Sequence, residues 1–490
     1  MESDFNWLDL PVEIWELILC KLEFRCLLKA SETCKKFNDV LSNSQRLMNK
    51  FCFIIGNPYI EYCYSSEMLR GHDLLHKEYL CELKLVKECL EKSERKYDCF
   101  KIFVQRKRAD KKFTRNVMFE ILKQFAGSVK QIKFSENSQD DNFFKIIQIM
   151  KNLKVLKFED IDYDEDESKA VTEAVRPDTL PSINEIYIKY VNRFSFQKLY
   201  LFDKITTLKV NCYFNNIIHH DTFENFLLLQ EHLKVLHLER LNPYSLFKTE
   251  KLTKNIKFTL DELVLYKVDW KNNENAMKFF KTQTNLKKIS LDFENLEPMN
   301  FDELLNHLFG NNLQLKTVNL SAHVYKFMDL YFLEGIVNPS VENLKILLDR
   351  SQNATEFIAA LNKLFPNVKN FTYIVSNKVD HGIDQIHNWK SLESLNCDTL
   401  DINQFFDNIN LCEKLATFSI IFVCFEDCIN NPKFMEFLNH HQNIKHMTIN
   451  TGYFKTVSDE CLSLIVKTLK SLETLMYNNE KGSLFNYLRA

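Results

Sequence analysis

Two rhythms of apolar and polar positions divide this chain. In residues 9–42 the apolar side chains are spaced by threes and fours. Leu10, Ile14, Leu17, Ile18 and Leu22 form a first run after Asp9-Leu10-Pro11, where Pro suits the first turn of a helix and Asp its positive end. Residues 23–26 (EFRC) interrupt the run, and Leu27, Leu28, Ser31, Cys34, Phe37, Val40 and Leu41 form a second. The spacing predicts a small helical unit. Its opening stretch, LPVEIWELILCKL, is apolar on more than one face. So short a unit cannot hold a stable core alone and must pack on a neighbour or on another protein.

From about residue 97 the rule changes to apolar-x-x-apolar-x-apolar. It reads VKQIKF at 129–134, LKVLKF at 153–158, INEIYI at 183–188, ITTLKV at 205–210, LKVLHL at 233–238, LDELVL at 260–265 and LKKISL at 286–291. It continues as LKTVNL at 315–320, VENLKI at 341–346, VKNFTY at 368–373, LESLNC at 392–397, LATFSI at 415–420, IKHMTI at 444–449 and LETLMY at 472–477. These fourteen copies start 22 to 30 residues apart, about 26 on average. That period lies in the range of leucine-rich repeats. YDCFKI at 97–102 is a plausible earlier copy and MNKFCF at 48–53 a weaker one. Between copies lie amphipathic helix candidates at 143–150, 223–230, 301–309, 357–365, 434–441 and 461–469. One strand and one helix per unit predicts an α/β chain: a solenoid with parallel strands on its concave face and helices on its convex face.

The first 44 residues carry a resemblance. Residues 8–41, LDLPVEIWELILCKLEFRCLLKASETCKKFNDVL, are similar to an F-box at Leu10, Pro11, Glu13, Ile14, Ile18, Leu19, Leu22, Leu27, Leu28, Ser31, Cys34, Lys35, Phe37 and Leu41. With the repeats behind it, the chain resembles the F-box/leucine-rich-repeat class, and its repeat spacing is similar to that of insect members. The expected organisation is an F-box module at 8–44, a linker or first cap repeat at 45–96, and about 14 to 15 degenerate repeats at 97–490. Two departures stand out. The link Glu23-Phe24-Arg25-Cys26 lacks the usual Asp or Ser cap. The Asn slot after each repeat strand is mostly apolar (Ile161, Val191, Leu241, Val268, Leu400, Val423), with Asn137 the exception, so an Asn ladder in the turns is largely missing.

The resemblance implies a substrate receptor of an SCF-type cullin–RING ubiquitin ligase. Leu10, Pro11, Ile14, Ile18, Leu22, Leu27, Leu28, Cys34, Lys35 and Phe37 would then face the Skp-type adaptor. The plainer reading of these residues is that they pack the module itself. Trp15 has no fixed role in the family pattern, which leaves it free to touch the first repeats. The repeats would hold an unidentified substrate protein. Alternation along each strand turns the middle residues to the concave side. Lys101, Lys133, Lys157, Tyr187, Lys209 and His237 lead that row, and Lys133, Lys157, Tyr187, Lys209 and His237 are the candidate substrate contacts for an acidic segment. Glu159 and Glu239 offset the row, and an ordinary solvated face is the plainer alternative.

Composition narrows the function further. Charged residues make up 26% of the chain and the formal net charge is −3, which supplies no general argument for nucleic acid or an anionic membrane as partner. Only 8 Gly argue against Gly-rich phosphate loops, and none is found. Fourteen Cys without a framework, together with a start that lacks a signal-peptide pattern, lead one to expect a cytoplasmic or nuclear protein. No apolar stretch reaches the length of a membrane span. Cys424 and Cys428, or Cys20 and Cys26, lack zinc-site partners. The adjacent pairs His219-His220 and His440-His441 are expected at the surface, and the acidic run at 159–167 lacks the glycine of a calcium loop. The basic run RKRADKK at 106–112 reads as a plain loop or an import signal. The expectation is a non-enzyme without cofactor or metal. A scaffold that ubiquitylates nothing is the alternative function.

Overall fold

Each of the fourteen sequence copies becomes one strand, and each strand begins at the third position of its copy. They are β3 (Gln131–Ser135), β4 (Val155–Glu159), β5 (Glu185–Phe194), β6 (Thr207–Ile218), β7 (Val235–Glu239), β8 (Glu262–Tyr266) and β9 (Lys288–Asp292). The series continues with β10 (Thr317–His323), β11 (Asn343–Asp349), β12 (Asn370–Val375), β13 (Ser394–Thr399), β14 (Thr417–Phe422), β15 (His446–Thr451) and β16 (Thr474–Asn479). The earlier copy at 97–102 contains most of β2 (Cys99–Phe103). The weak copy at 48–53 overlaps β1 (Cys52–Ile55), two residues later than its pattern implies.

The computed structural model describes residues 10–20, 22, 26, 30, 33–44, 47, 52–55, 99–103, 119–120, 122–124, 126–135, 143–159, 180–194, 196–218, 220–241, 250–267, 273–292, 301–323, 335–349, 354–375, 382–399, 406, 409, 412–422, 432–451, 457–479 and 484–488. It divides into two compact units, Met1–Leu233 and Lys234–Ala490. In the first, β1 to β6 pair in chain order, each parallel to the next. In the second, β7 to β16 do the same, and β17 (Leu484–Leu488) closes the series antiparallel to β16. An antiparallel last strand occupies backbone groups that a parallel edge would leave open.

Strand alternation separates core from surface. Along β4, β7 and β8 buried and half-buried residues alternate, and the buried ones are the two apolar residues of the motif. The motif's first apolar residue (Leu153, Leu233, Leu260, Leu286) is buried as well, just ahead of the strand. Fully burying each such side chain contributes roughly 1.5–3 kcal/mol. The helices lie against the buried face. In the second unit the ring of Phe418 on β14 packs on Phe437 of the helix Pro432–His440 at 4.9 Å, and Phe371 on β12 packs on Trp389 at 4.6 Å. The helix candidates are found at Phe143–Ile149, His220–Leu228, Phe301–Asn311, Ala354–Leu364, Pro432–His440 and Asp459–Thr468. Two further α-helices, Glu250–Asn255 and Asn273–Thr282, lie in connections the sequence did not single out, and the connections at Phe196–Leu201 and Ile383–Asn388 are short 3-10 turns.

The missing Asn ladder has a counterpart at another position. Three residues before the first apolar residue of a copy, the chain places a buried hydrogen-bonding side chain in six repeats: Gln230, Gln283, Asn312, Asn338, Trp389 and His441. Each reaches the backbone of the preceding repeat. Gln230 Nε2 donates to the Phe202 carbonyl (3.0 Å), and Trp389 Nε1 donates to the Phe365 carbonyl (2.8 Å). Gln283 Oε1 accepts from the Leu260 N–H (2.8 Å) and Asn312 Oδ1 from the Leu286 N–H (3.3 Å). Asn338 Nδ2 donates to the carbonyls of Phe309 (2.8 Å) and Asn312 (3.1 Å), and His441 Nε2 bonds the Ile409 carbonyl (3.1 Å). Buried backbone groups in the turns between repeats need partners, and these side chains supply them.

His441 therefore departs from the surface position expected of the His440-His441 pair. His440 is exposed, but His441 is only 3% exposed and its ring lies 4.8 Å from that of Phe437. Burial lowers its pKa to about 4, outweighing the Ile409 carbonyl bond, which favours the charged form.

Candidate protein-binding surfaces

The first surface is on the amino-terminal helices. Pro11 opens the helix Val12–Cys20, and its carbonyl accepts from the N–H groups of Ile14 (3.1 Å) and Trp15 (3.2 Å). Trp15 and Leu19, one turn apart, face inward and are 8% and 2% exposed. They meet Val40 and Leu41 of the helix Lys35–Asn43, together with Leu47. Leu10, Leu22, Ala30 and Phe37 pack around this cluster. Trp15 thus belongs to the module's own core, edge-on to Phe37 at 4.5 Å. Just before and within the second run, Cys26, Ala30 and Thr33 are helical and a helix follows at Lys35–Asn43. Cys34 caps the helix Lys35–Asn43, with Sγ accepting from the Phe37 N–H at 3.4 Å.

The ten candidate adaptor contacts separate accordingly. Ile14 and Ile18 lie outward at 41% and 40% exposure, and Pro11 and Lys35 are exposed too. Leu10, Leu22, Cys34 and Phe37 are half-buried and contribute to the module's interior or its cap. Leu27 and Leu28 lie outside the described residues. Two residues missed by the sequence reading join the outward set: Val12 and Leu17, each 51% exposed. Their signal was present, because 14, 17 and 18 share a helix flank once 15 and 19 define the inner one. Among the described residues eight large apolar side chains are exposed, and four of them (Val12, Ile14, Leu17, Ile18) crowd onto this one nine-residue helix.

The second surface is the open face of the first unit's strands. Register confirms the row: Lys101, Lys133, Lys157, Tyr187 and Lys209 are direct neighbours across β2 to β6. Their chemistry differs. Lys133 is ion-paired with Glu159, two positions along the next strand. Lys157 and Lys209 instead lie over the ring of Tyr187, with Nζ 5.1 Å and 5.6 Å from its centroid. The Tyr187 hydroxyl donates to Glu185 Oε2 at 2.7 Å. Burial, with help from the Glu185 hydrogen bond and charge, raises the Tyr187 pKa to about 12, so the phenol stays protonated.

The fifth candidate contact, His237, belongs to the second unit. Its Nε2 lies 2.8 Å from Glu262 Oε1, which also receives Lys288 Nζ at 2.6 Å. Burial pushes the Glu262 carboxyl up, but Lys288 and His237 together leave it below the usual carboxylate range. That face continues as Val264, Ser290, Asn319, Lys345, Thr372, Asn396, Ser419, Thr448 and Met476, mostly small or uncharged.

Among the described residues no group of three or more His, Cys, Asp or Glu could hold a metal, and no helix is long and apolar enough to cross a membrane. Cys424 and Cys428 lie outside the described residues. Burial raises the thiols of Cys212 and Cys412 to about 12 and that of Cys461 to about 11, which makes them poor nucleophiles.

Residues 7–54 match the F-box-like family model. No curated protein sequence matches the chain. Similar solved structures include an internalin of Listeria monocytogenes, at 14% identity and TM-score 0.34, covering 73% of this chain and 83% of the internalin. A leucine-rich-repeat protein of Leptospira interrogans is similar at 11% identity and TM-score 0.35, covering 73% of this chain and 91% of that one. The mouse RP105/MD-1 complex is similar at 12% identity and TM-score 0.39; 72% of this chain is covered, and the match spans 55% of that chain. The chain thus joins an F-box-like segment to parallel strands that recur at a leucine-rich-repeat period.

Proposed function

We propose that the chain is the substrate-receptor subunit of an SCF-type cullin–RING ubiquitin ligase. The amino-terminal helices hold a Skp-type adaptor, and the open strand faces hold the target protein. The observation that carries this reading is the exposed flank Val12, Ile14, Leu17 and Ile18 inside an F-box-like segment whose Trp15 and Leu19 already fill its own core. Exposing such a flank in water is unfavourable, and a protein partner would cover it. The receptor carries out no bond chemistry. It brings lysines of the target close to the ubiquitin-charged enzyme, which raises their effective concentration. That work belongs to a reducing compartment, the cytoplasm or the nucleus.

The test is capture of a purified Skp-type adaptor by the full chain and by an Ile14→Asp, Leu17→Asp, Ile18→Asp variant. Capture by the intact chain and loss in the variant is expected. Equal capture by both removes the adaptor claim. Transfer of ubiquitin to a co-purified protein in a reconstituted ligase separates receptor from scaffold: adaptor capture without transfer to any bound protein assigns the scaffold role.

A further inference from the structure

Among the described side chains, the open face of β3 to β6 carries six charged ones: Lys133, Lys157, Glu159, Glu185, Lys189 and Lys209. Four are positive and two negative. Lys133 and Glu159 pair with each other, Glu185 accepts the Tyr187 hydroxyl, and Lys189 lies over the Tyr190 ring at 4.2 Å. Lys157 and Lys209 have no carboxylate partner among the described residues. Both lie over the Tyr187 ring that separates them.

We propose that Lys157 and Lys209, held on either side of Tyr187, bind an extended acidic segment of a protein partner. This rests on the receptor reading above and names the chemistry that the first unit's strand face selects. A cation over a ring is attracted by the ring's negative face but keeps its N–H donors, and an ammonium has three. The ring thus orders two long side chains in advance and leaves their donors for a carboxylate. Pre-ordering removes part of the entropy cost of binding. Spacing agrees with an extended ligand. Lys157 and Lys209 are two strands apart, so their backbones stand about 10 Å apart, and their side chains converge on the ring. Carboxylates two residues apart in an extended peptide are about 7 Å apart on one side, within reach of both. Charge favours a peptide over nucleic acid: the four cations described on this face are lysines, point charges without the guanidinium fork that reads phosphate in pairs, and the whole chain carries a formal charge of −3. In the second unit, by contrast, His237 at the equivalent position shares Glu262 with Lys288.

The experiment uses the full chain and a fluorescein-labelled octaglutamate peptide, read by fluorescence anisotropy at about 50 mM and about 300 mM salt. Binding that weakens with salt is expected. Lys157→Glu with Lys209→Glu should reduce affinity at least about fivefold. Lys157→Gln with Lys209→Gln, which adds no repulsion within the fold, should reduce it less but in the same direction. Tyr187→Phe should keep the binding, because the ring remains, and Tyr187→Ala should lose it. Lys123→Glu with Lys151→Glu, at exposed positions off this face, should change nothing beyond a small salt-sensitive effect. The proposal is overturned if octaglutamate fails to bind, or if both double variants bind as the parent does. It is equally overturned if an oligothymidylate of equal charge binds more tightly with the same dependence on Lys157 and Lys209. Adaptor capture measured on the same preparations keeps the two readings apart. Loss of capture with retained peptide binding removes the receptor reading alone, and the reverse removes the acidic-segment site alone.

Discussion

Trp15 and Phe37 meet edge to face, their ring centroids 4.5 Å apart and their planes at 62°. This contact joins the first described helix to the second and makes Trp15 the centre of a small core with Leu19, Val40, Leu41 and Leu47. It divides the over-apolar opening helix into a flank that stays within the module and a flank that does not.

Trp15→Ala should remove this core. Replacing a buried Trp by Ala costs about 3–5 kcal/mol, more than so small a module can spare. Backbone amides of residues 12–20 and 35–43 should lose hydrogen-exchange protection, and adaptor capture should fall with them. The second unit, which contains none of these residues, should keep its protection.

Val12→Ala and Leu17→Ala should behave in the opposite way. Both side chains are 51% exposed, so stability should change by no more than about 0.5 kcal/mol. On the proposed function, adaptor affinity should still drop severalfold in titration of the pure proteins. A drop in stability without a drop in affinity would place both residues in the fold rather than in the contact.

Asn338→Leu should cost about 2–4 kcal/mol in chemical denaturation of the full chain. The side chain is fully buried, donates to the carbonyls of Phe309 and Asn312, and accepts from the Ser340 N–H and hydroxyl. Leucine would leave those backbone groups unpaired in a dry site. Lys316→Gln, which removes a partner of Glu342 at half-exposed positions, should cost far less.

His441 should make the second unit sensitive to acid. Its folded pKa of about 4 lies below the ordinary value of 6.5, so the unfolded chain binds the extra proton first as pH falls. Stability from this residue is complete above pH 6.5 and declines between 6.5 and 4, by on the order of 3 kcal/mol in all. His441→Gln, which puts at this site the residue used at Gln230 and Gln283, should flatten the melting temperature across that window. A melting curve equally pH-dependent in both proteins would show that His441 is not the responsible group.

Most of the repeat plan could be read before any coordinates. All fourteen copies of the motif are strands, and Lys101, Lys133, Lys157, Tyr187 and Lys209 stand side by side as their equal positions imply. Alternation along a strand is a local property, written in six residues at a time, and repetition multiplies it until chance is excluded. The F-box pattern is likewise local in its residues.

What needed the folded chain was the bonding of side chains between one repeat and the next. That Lys133 is neutralised by Glu159 while Lys157 and Lys209 share a tyrosine depends on strands some two dozen residues apart being brought to one face. That His441 is buried, and that Gln230, Asn338 and Trp389 take over the bonding expected of a turn asparagine, depends on which carbonyls of the preceding repeat lie uncovered. Spacing along a chain specifies which way a side chain points. What it finds there is set by the neighbour that packs against it.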